Sequence, residues 1–376
     1  MTKSSALIPV PSNHNEEPYD YYIRSARSDI SIIRDLLNKW FSDYPDNEKA
    51  AFKNAFKKQF DESFFELFVY KLFKKLGFNI EIHPTLVHSS KRPDFIVTRD
   101  KFKSYLEATV TKDKTHNELA MERKLNQFYD QLSEMQLNGF LLAFDELLIK
   151  TKAQPSAKPV VAYIEKFLAN HDSVALTSQL QIYGRSILPV IDFENDDLKL
   201  QVRAIPVESS DDMRPIGIYP QAFVGGGEEA LKKAIDYKGR RYGKLDKPFI
   251  LCLNCLDIKS SGGLVWQNTI WGSLAISWSE DPNNRNERLI LKNNGAFRDT
   301  KGPKLHQVSA VLLTKVSPHS IAVADYCFYQ NPFATYPVSF EGMDLNCQFV
   351  CKGKITESKG RTLSSILEIS PDWLQG

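Results

Sequence analysis

Long apolar runs are missing from this chain of 376 residues. The best candidate, Gly139 to Phe144, is far shorter than the roughly 20 residues that a membrane-spanning helix needs. The opening MTKSSALIPVPSNHNEEPYD holds no apolar core of signal-peptide length, so a cytoplasmic protein without a membrane partner is expected. An excess of one charge is missing too. The net charge is only +2, so any nucleic-acid footprint must be local rather than a global basic field. Cysteines are few and odd in number, five, at spacings unlike a disulfide framework. Cys252-x-x-Cys255 and Cys347-x-x-x-Cys351 invite a zinc reading, but Phe249 to Asn254 reads as a buried strand. Residues three apart in a strand face opposite sides, whereas a zinc chelate needs a turn, so small buried hydrophobes are the better account. No Walker lysine and no dinucleotide fingerprint is present. Gly225-Gly226-Gly227 runs into Glu228 and Glu229, which would repel phosphate, so the triplet reads as a hinge. His306 and His319 have no serine or cysteine partner at a motif spacing.

What is present describes a globular chain, with 42% hydrophobic and 25% charged residues. The first twenty residues are rich in Pro, Ser and Asn and read as a tail. Residues 28–42 form an amphipathic helix, and Tyr44-Pro45-Asp46 breaks it before a second helix over Asn47 to Lys58. Further along, His116 to Gln136 reads as a charged helix, Gly139 to Phe144 as a strand and Val160 to Leu168 as a helix. Strands are expected within residues 174–206, among them Ile182-Tyr183 and Leu198 to Ala204. Val308 to Val316 and Ile321 to Tyr326 read as strands in a last third that also carries Trp266, Trp271 and Trp278.

The densest chemistry lies between Phe60 and Thr111. Asp61, Glu62 and Ser63 suit a helix N-terminus, and Phe65, Phe68, Val69, Leu72, Phe73 and Leu76 follow at helical spacing. Glu66 lies at the border of that stripe. Phe78 to Ile82 alternates as a half-buried strand. Phe95-Ile96-Val97 and Tyr105 to Val110 read as a hairpin around the polar Lys101 to Ser104. Pro93-Asp94 opens the first of these two strands and Glu107 lies in the second, where Glu107 and Thr109 share a face. Glu66, Asp94 and Glu107 can therefore converge at one end of a small sheet, which is how oxygen ligands for a hard cation such as Mg²⁺ are gathered.

These residues resemble the PD-(D/E)xK nuclease superfamily. Glu66 matches its helix glutamate, Pro93-Asp94 its Pro-Asp pair, and Glu107-Ala108-Thr109 its acidic-x-Lys triplet, with Thr109 where the lysine stands. More narrowly, E-L-F-x-Y-x-L-F-x-x-L-G-F, R-P-D-F-I-V and L-E-A-T are similar to a group of bacterial nuclease-like proteins of unassigned role with a Glu-x-Thr third motif. The resemblance implies an α/β fold with a restriction-endonuclease-like core, a mixed sheet flanked by helices. N-terminal helices, a large insertion and a C-terminal α/β extension would complete it. The boundaries it implies are a tail and helices over 1–59, a core over 60–255 with an insertion at about 112–225, and an extension over 256–376. It further implies catalytic positions at Glu66, Asp94, Glu107 and Thr109, with Mg²⁺ or Mn²⁺ on Asp94, Glu107 and Glu66. The expected activity is hydrolysis of phosphodiester bonds, of DNA in preference to RNA. A homodimer or a partner defence protein is left open, and a role against foreign nucleic acid follows only by association with such nucleases.

The most basic stretch, EEALKKAIDYKGRRYGKL, runs from Glu228 to Leu245 and leads into Lys247 to Leu253, a buried strand by composition. Lys232, Lys238 and Arg241 are the expected phosphate contacts, and a lysine of this helix is a substitute for the one missing at Thr109. Lys232 and Lys238 do not share a helical face, so at most one can reach the carboxylates. Lys112 is the other candidate, but its parity is wrong while the strand continues. Two other readings are a nucleic-acid-binding module on the same fold without chemistry, and a protein-interaction subunit.

Overall fold

The structure, a computed structural model, describes residues 17–111, 124–207 (save 126, 130, 133–134, 136, 138 and 152), 216–218, 227–257, 260, 262–277 and 288–375. The N-terminal tail to residue 16, Lys112, Gly225, Gly226 and Trp278 lie outside these residues, as does part of the helix expected over 116–136. Its described residues between 124 and 132 are helical. The chain divides into two compact units, one holding Pro18–Asp113 and Phe223–Gly376 and the other Lys114–Ala222.

The first unit begins with helices α1 (Pro18–Arg24), α2 (Ser28–Ser42), α3 (Asp46–Lys58) and α4 (Phe60–Lys75). Strands β1 (Asn79–Ile82), β2 (Phe95–Arg99) and β3 (Phe102–Thr111) follow as an antiparallel meander. In the second unit β4 (Phe140–Ile149), β5 (Val190–Glu194), β6 (Leu198–Pro206) and β7 (Ile216–Ile218) pair in the order β5-β6-β4-β7. Back in the first unit, the helix Glu228–Gly239 leads to β8 (Phe249–Cys255), which lies parallel to β3. Two small hairpins, β9 (Leu274–Ser277) with β10 (Arg288–Leu291) and β11 (Arg298–Asp299) with β12 (Gly302–Pro303), precede the last strands. These are β13 (Ala310–Thr314), β14 (Tyr326–Gln330), β15 (Cys347–Cys351) and β16 (Lys354–Ser358). The main sheet is thus eight strands, β1-β2-β3-β8-β13-β14-β15-β16, and is mixed. The C-terminal third, expected as an extension, supplies half of that sheet.

Alternate residues of the central strands feed two apolar layers, as the period-2 geometry of a strand requires. Phe95, Leu106, Ile250, Cys252 and Leu312 join the layer of α1 to α4, while Ile96, Tyr105, Leu251, Cys255 and Leu313 join that of the helix Glu228–Gly239. Every residue of β8 is buried, as in a strand covered on both faces. The helix α4 is apolar nearly all round because α2, α3 and the helix Leu363–Leu367 cover it as well as the sheet. Cys252 and Cys255 lie on opposite faces, all five cysteines are free, and burial pushes the Cys255 thiol up to about 12.

Two expected strands are corrected. Ile182-Tyr183 ends a helix, Ser173–Tyr183, because Asp172 caps it: its Oδ1 accepts from Val174 N at 2.9 Å and Ala175 N at 3.2 Å. Ile321 opens no strand either. Residues 318–323 are turns tied by Ser320, and the strand starts only at Tyr326. The polar turn expected over Lys101 to Ser104 is shorter, and β3 already starts at Phe102.

Candidate functional site

The meander brings the first two acidic groups together. Phe95 faces Leu106 across β2 and β3, so Asp94 and Glu107 follow at the same end of neighbouring strands. Asp94 Oδ2 accepts the Ala108 N–H at 2.7 Å, which ties the start of β2 to β3 beside Glu107. Glu107 is only 2% exposed, and an ionised carboxylate at such depth is costly without partners. Its partners come from the basic helix and the turn after it. Lys238 Nζ donates to Oε1 at 3.1 Å, Arg241 Nη1 to the same oxygen at 3.2 Å, and Tyr242 Oη to Oε2. The same Tyr242 hydroxyl lies 3.2 Å from the Arg92 carbonyl, on the loop that leads into Asp94.

The helix reaches this position through its apolar stripe. Leu231, Ile235 and Gly239 are its buried residues, and Lys238 lies seven on from Leu231 and three on from Ile235. Gly239 is needed for the close approach: a Cβ there would stand 2.9 Å from Val308 Cγ2. Glu66 is on α4, half-buried, and Tyr44 Oη donates to its Oε1 at 2.9 Å.

The three carboxylates feel one another. Burial raises the Asp94 pKa well above its ordinary 3.8, and the charges of Glu107 and Glu66 raise it further; the Ala108 N–H and Lys238 oppose the shift. Burial also raises Glu66, opposed by the Tyr44 hydrogen bond and by His83 and reinforced by Glu107. The Tyr44 and Tyr242 hydroxyls are pushed up by burial and by the adjacent carboxylates, so both stay protonated donors.

Asp94, Glu107, Lys238 and Arg241 are therefore brought together, and Glu66 joins them through its charge from the α4 layer. Thr109 is half-buried and makes no polar side-chain contact among the described residues. Lys232 stands elsewhere: its Nζ donates to Glu229 Oε1 at 2.9 Å within its own helix. Lys112 lies outside the described residues. Tyr44, Tyr242 and His83 were not expected at the site. For Tyr242 a signal exists, since it continues the spacing of Leu231, Ile235 and Lys238. Tyr44 and His83 carry none, because each sits in a break between elements.

No family model, curated protein or solved structure matches this chain. The site must be judged on its own chemistry. Its donors are hard carboxylate oxygens, and burial first, then the neighbouring carboxylates, hold Asp94 and Glu66 above their ordinary pKa. Among the described residues no three His, Cys, Asp or Glu side chains surround one point. A Mg²⁺ ion needs fewer: one or two carboxylates, with water completing its octahedron. Asp94 and Glu107 have the oxygen donors for that role, while both Glu107 oxygens already accept from Lys238, Arg241 and Tyr242. His306 and His319 take no part, since each accepts or donates one structural hydrogen bond, at Phe333 O and Tyr22 Oη respectively.

Proposed function

We propose that the protein is a metal-dependent nuclease of the PD-(D/E)xK kind, acting on DNA in preference to RNA. The observation that carries the reading is Lys238: a lysine from the helix stands against Glu107, where the sequence has Thr109 in place of the motif lysine. The order of elements supports it as well. The resemblance implies a mixed sheet flanked by helices, and here α4-β1-β2-β3 and the helix Glu228–Gly239 with β8 parallel to β3 belong to such a sheet and its flanking helices.

A divalent cation on Asp94 and Glu107 would supply an activated water and neutralise charge on the scissile phosphate. The protein's own groups do the rest. Glu66, oriented by Tyr44, adds negative charge that favours the cation. The Ala108 N–H fixes the Asp94 carboxylate in one orientation. Lys238 and Arg241 are cations that can turn from Glu107 Oε1 toward a phosphate, where they stabilise charge that grows in the transition state. Tyr242 keeps Glu107 in place from its other oxygen while they do so.

Glu107 already has three donors, which favours a second reading: a nucleic-acid-binding module on this fold in which the ion pair has replaced chemistry. Calorimetry of Mn²⁺ binding separates the two. On the nuclease reading the parent binds Mn²⁺ and both Asp94→Asn and Glu107→Gln weaken it at least tenfold. A parent that takes up no Mn²⁺, or variants that bind as it does, would leave the second reading standing.

A further inference from the structure

A cleft of about 760 Å³ adjoins the carboxylates within the same unit. One wall is an exposed ridge of the helix Glu228–Gly239 and its end: Lys233, Tyr237, then Arg240 and Arg241, spaced four and then three to four apart so that they line one side. Lys91 and Lys304 close the cleft from other elements. Six basic side chains face three acidic ones, Glu229, Asp236 and Asp299. The acidic three are already taken: Glu229 by Lys232, Asp236 by a two-point contact from Arg240, and Asp299 by Lys304 at 3.6 Å. The surplus is positive and rests on Lys91 and Lys233, since Arg241 is paired with Glu107.

Two features tie the cleft to the site. Arg241 lines it and also donates to Glu107 Oε1. Lys91 lines it, and its Nζ donates to the Arg241 carbonyl at 3.0 Å, three residues before Asp94. A polyanion lying in the cleft is thereby led to Asp94 and Glu107.

Tyr237 decides which polyanion. It is 76% exposed, more than any other Tyr, Phe or Trp among the described residues, and none of those residues makes a ring contact or hydrogen bond with its side chain. An aromatic ring held in water between cations is the arrangement by which proteins hold single strands: cations take the backbone and the ring stacks an unpaired base. In a duplex both faces of each base are covered by its neighbours, so the ring would gain nothing.

We propose that this cleft is a track for single-stranded nucleic acid, with Lys91 and Lys233 on the phosphates and Tyr237 stacked on a base. The substrate class so named rests on the nuclease reading above, but binding in the track does not require cleavage. Fluorescence anisotropy in EDTA tests it with labelled oligo-dT and oligo-U of about 15 residues and a duplex of equal length. The parent protein should bind one or both single strands more tightly than the duplex. Tyr237→Ala should weaken single-strand binding by roughly five- to 150-fold, the loss of one stacked base, and leave duplex binding unchanged. Tyr237→Phe should keep the parent's affinity, and Lys233→Ala should flatten the salt dependence. The oligo-dT and oligo-U arms tell DNA from RNA. A parent that binds the duplex at least as well, that binds nothing, or that is indifferent to Tyr237→Ala overturns the proposal. Because no metal is present, a protein that binds as described yet never cleaves would overturn the nuclease reading alone.

Discussion

Replacing Asp94 by Asn should stabilise the fold while removing its chemistry. Asp94 is buried at the end of β2, with like charges at Glu107 and Glu66 and only the Ala108 N–H and Lys238 in its favour. Its raised pKa means that the folded protein binds this proton more readily than the unfolded chain. The stability it contributes is fully present below the ordinary value of 3.8 and is lost as pH rises through the raised one. At neutral pH the charged form therefore opposes folding, by about 1.4 kcal/mol for each unit of upward displacement. Asparagine keeps an acceptor for the Ala108 N–H and discards the charge. A gain of about 1–2 kcal/mol is expected in EDTA, the usual size for relief of strain at an active site. Denaturant unfolding of parent and Asp94→Asn from about pH 4 to about pH 8 reads it, and the advantage of the variant should widen with pH. Saturating Mg²⁺ should reverse the order, because the parent alone gains about 2.7 kcal/mol at a hundredfold excess over Kd. A variant less stable than the parent in EDTA at neutral pH, or equally stabilised by Mg²⁺, would refute this reasoning.

Other perturbations separate the roles of single residues. Lys238→Ala should slow single-turnover cleavage by about 10²–10³-fold with little change in binding, as for a lost transition-state donor, whereas Lys232→Ala should leave cleavage unchanged. Its cost in stability should be modest, because Arg241 and Tyr242 remain on Glu107. Tyr44→Phe removes the donor to Glu66 and should destabilise by about 1–3 kcal/mol, with the Glu66 pKa rising further when followed by carbon-detected NMR. Phe68→Ala, fully buried in α4, should cost about 3–5 kcal/mol by denaturant unfolding with no specific effect on metal affinity.

Much of the framework is legible in local pattern. The meander β1 to β3 follows from alternation and the Asp100-Lys101 turn, and β8 from an unbroken apolar run. The choice between the two lysines was also open to reading, since Lys238 continues the stripe of Leu231 and Ile235 and Lys232 does not. What local pattern hides is set by distant partners. That β13 to β16 extend the same sheet depends on pairing of β13 with β8, some sixty residues away. Ile182-Tyr183 looks like a strand until Asp172 is seen as a helix cap. Tyr44 reaches Glu66 only because α3 and α4 fold back on each other, and no spacing in the sequence records that.

Cleavage of end-labelled DNA and RNA, single-stranded and duplex, with Mg²⁺, with Mn²⁺ and with EDTA tests the central claim most directly. The expected result is scission of phosphodiester bonds by the parent with either metal, none in EDTA, and none with Asp94→Asn. Intact substrates throughout, or cleavage that survives EDTA and the Asp94→Asn change, would contradict it.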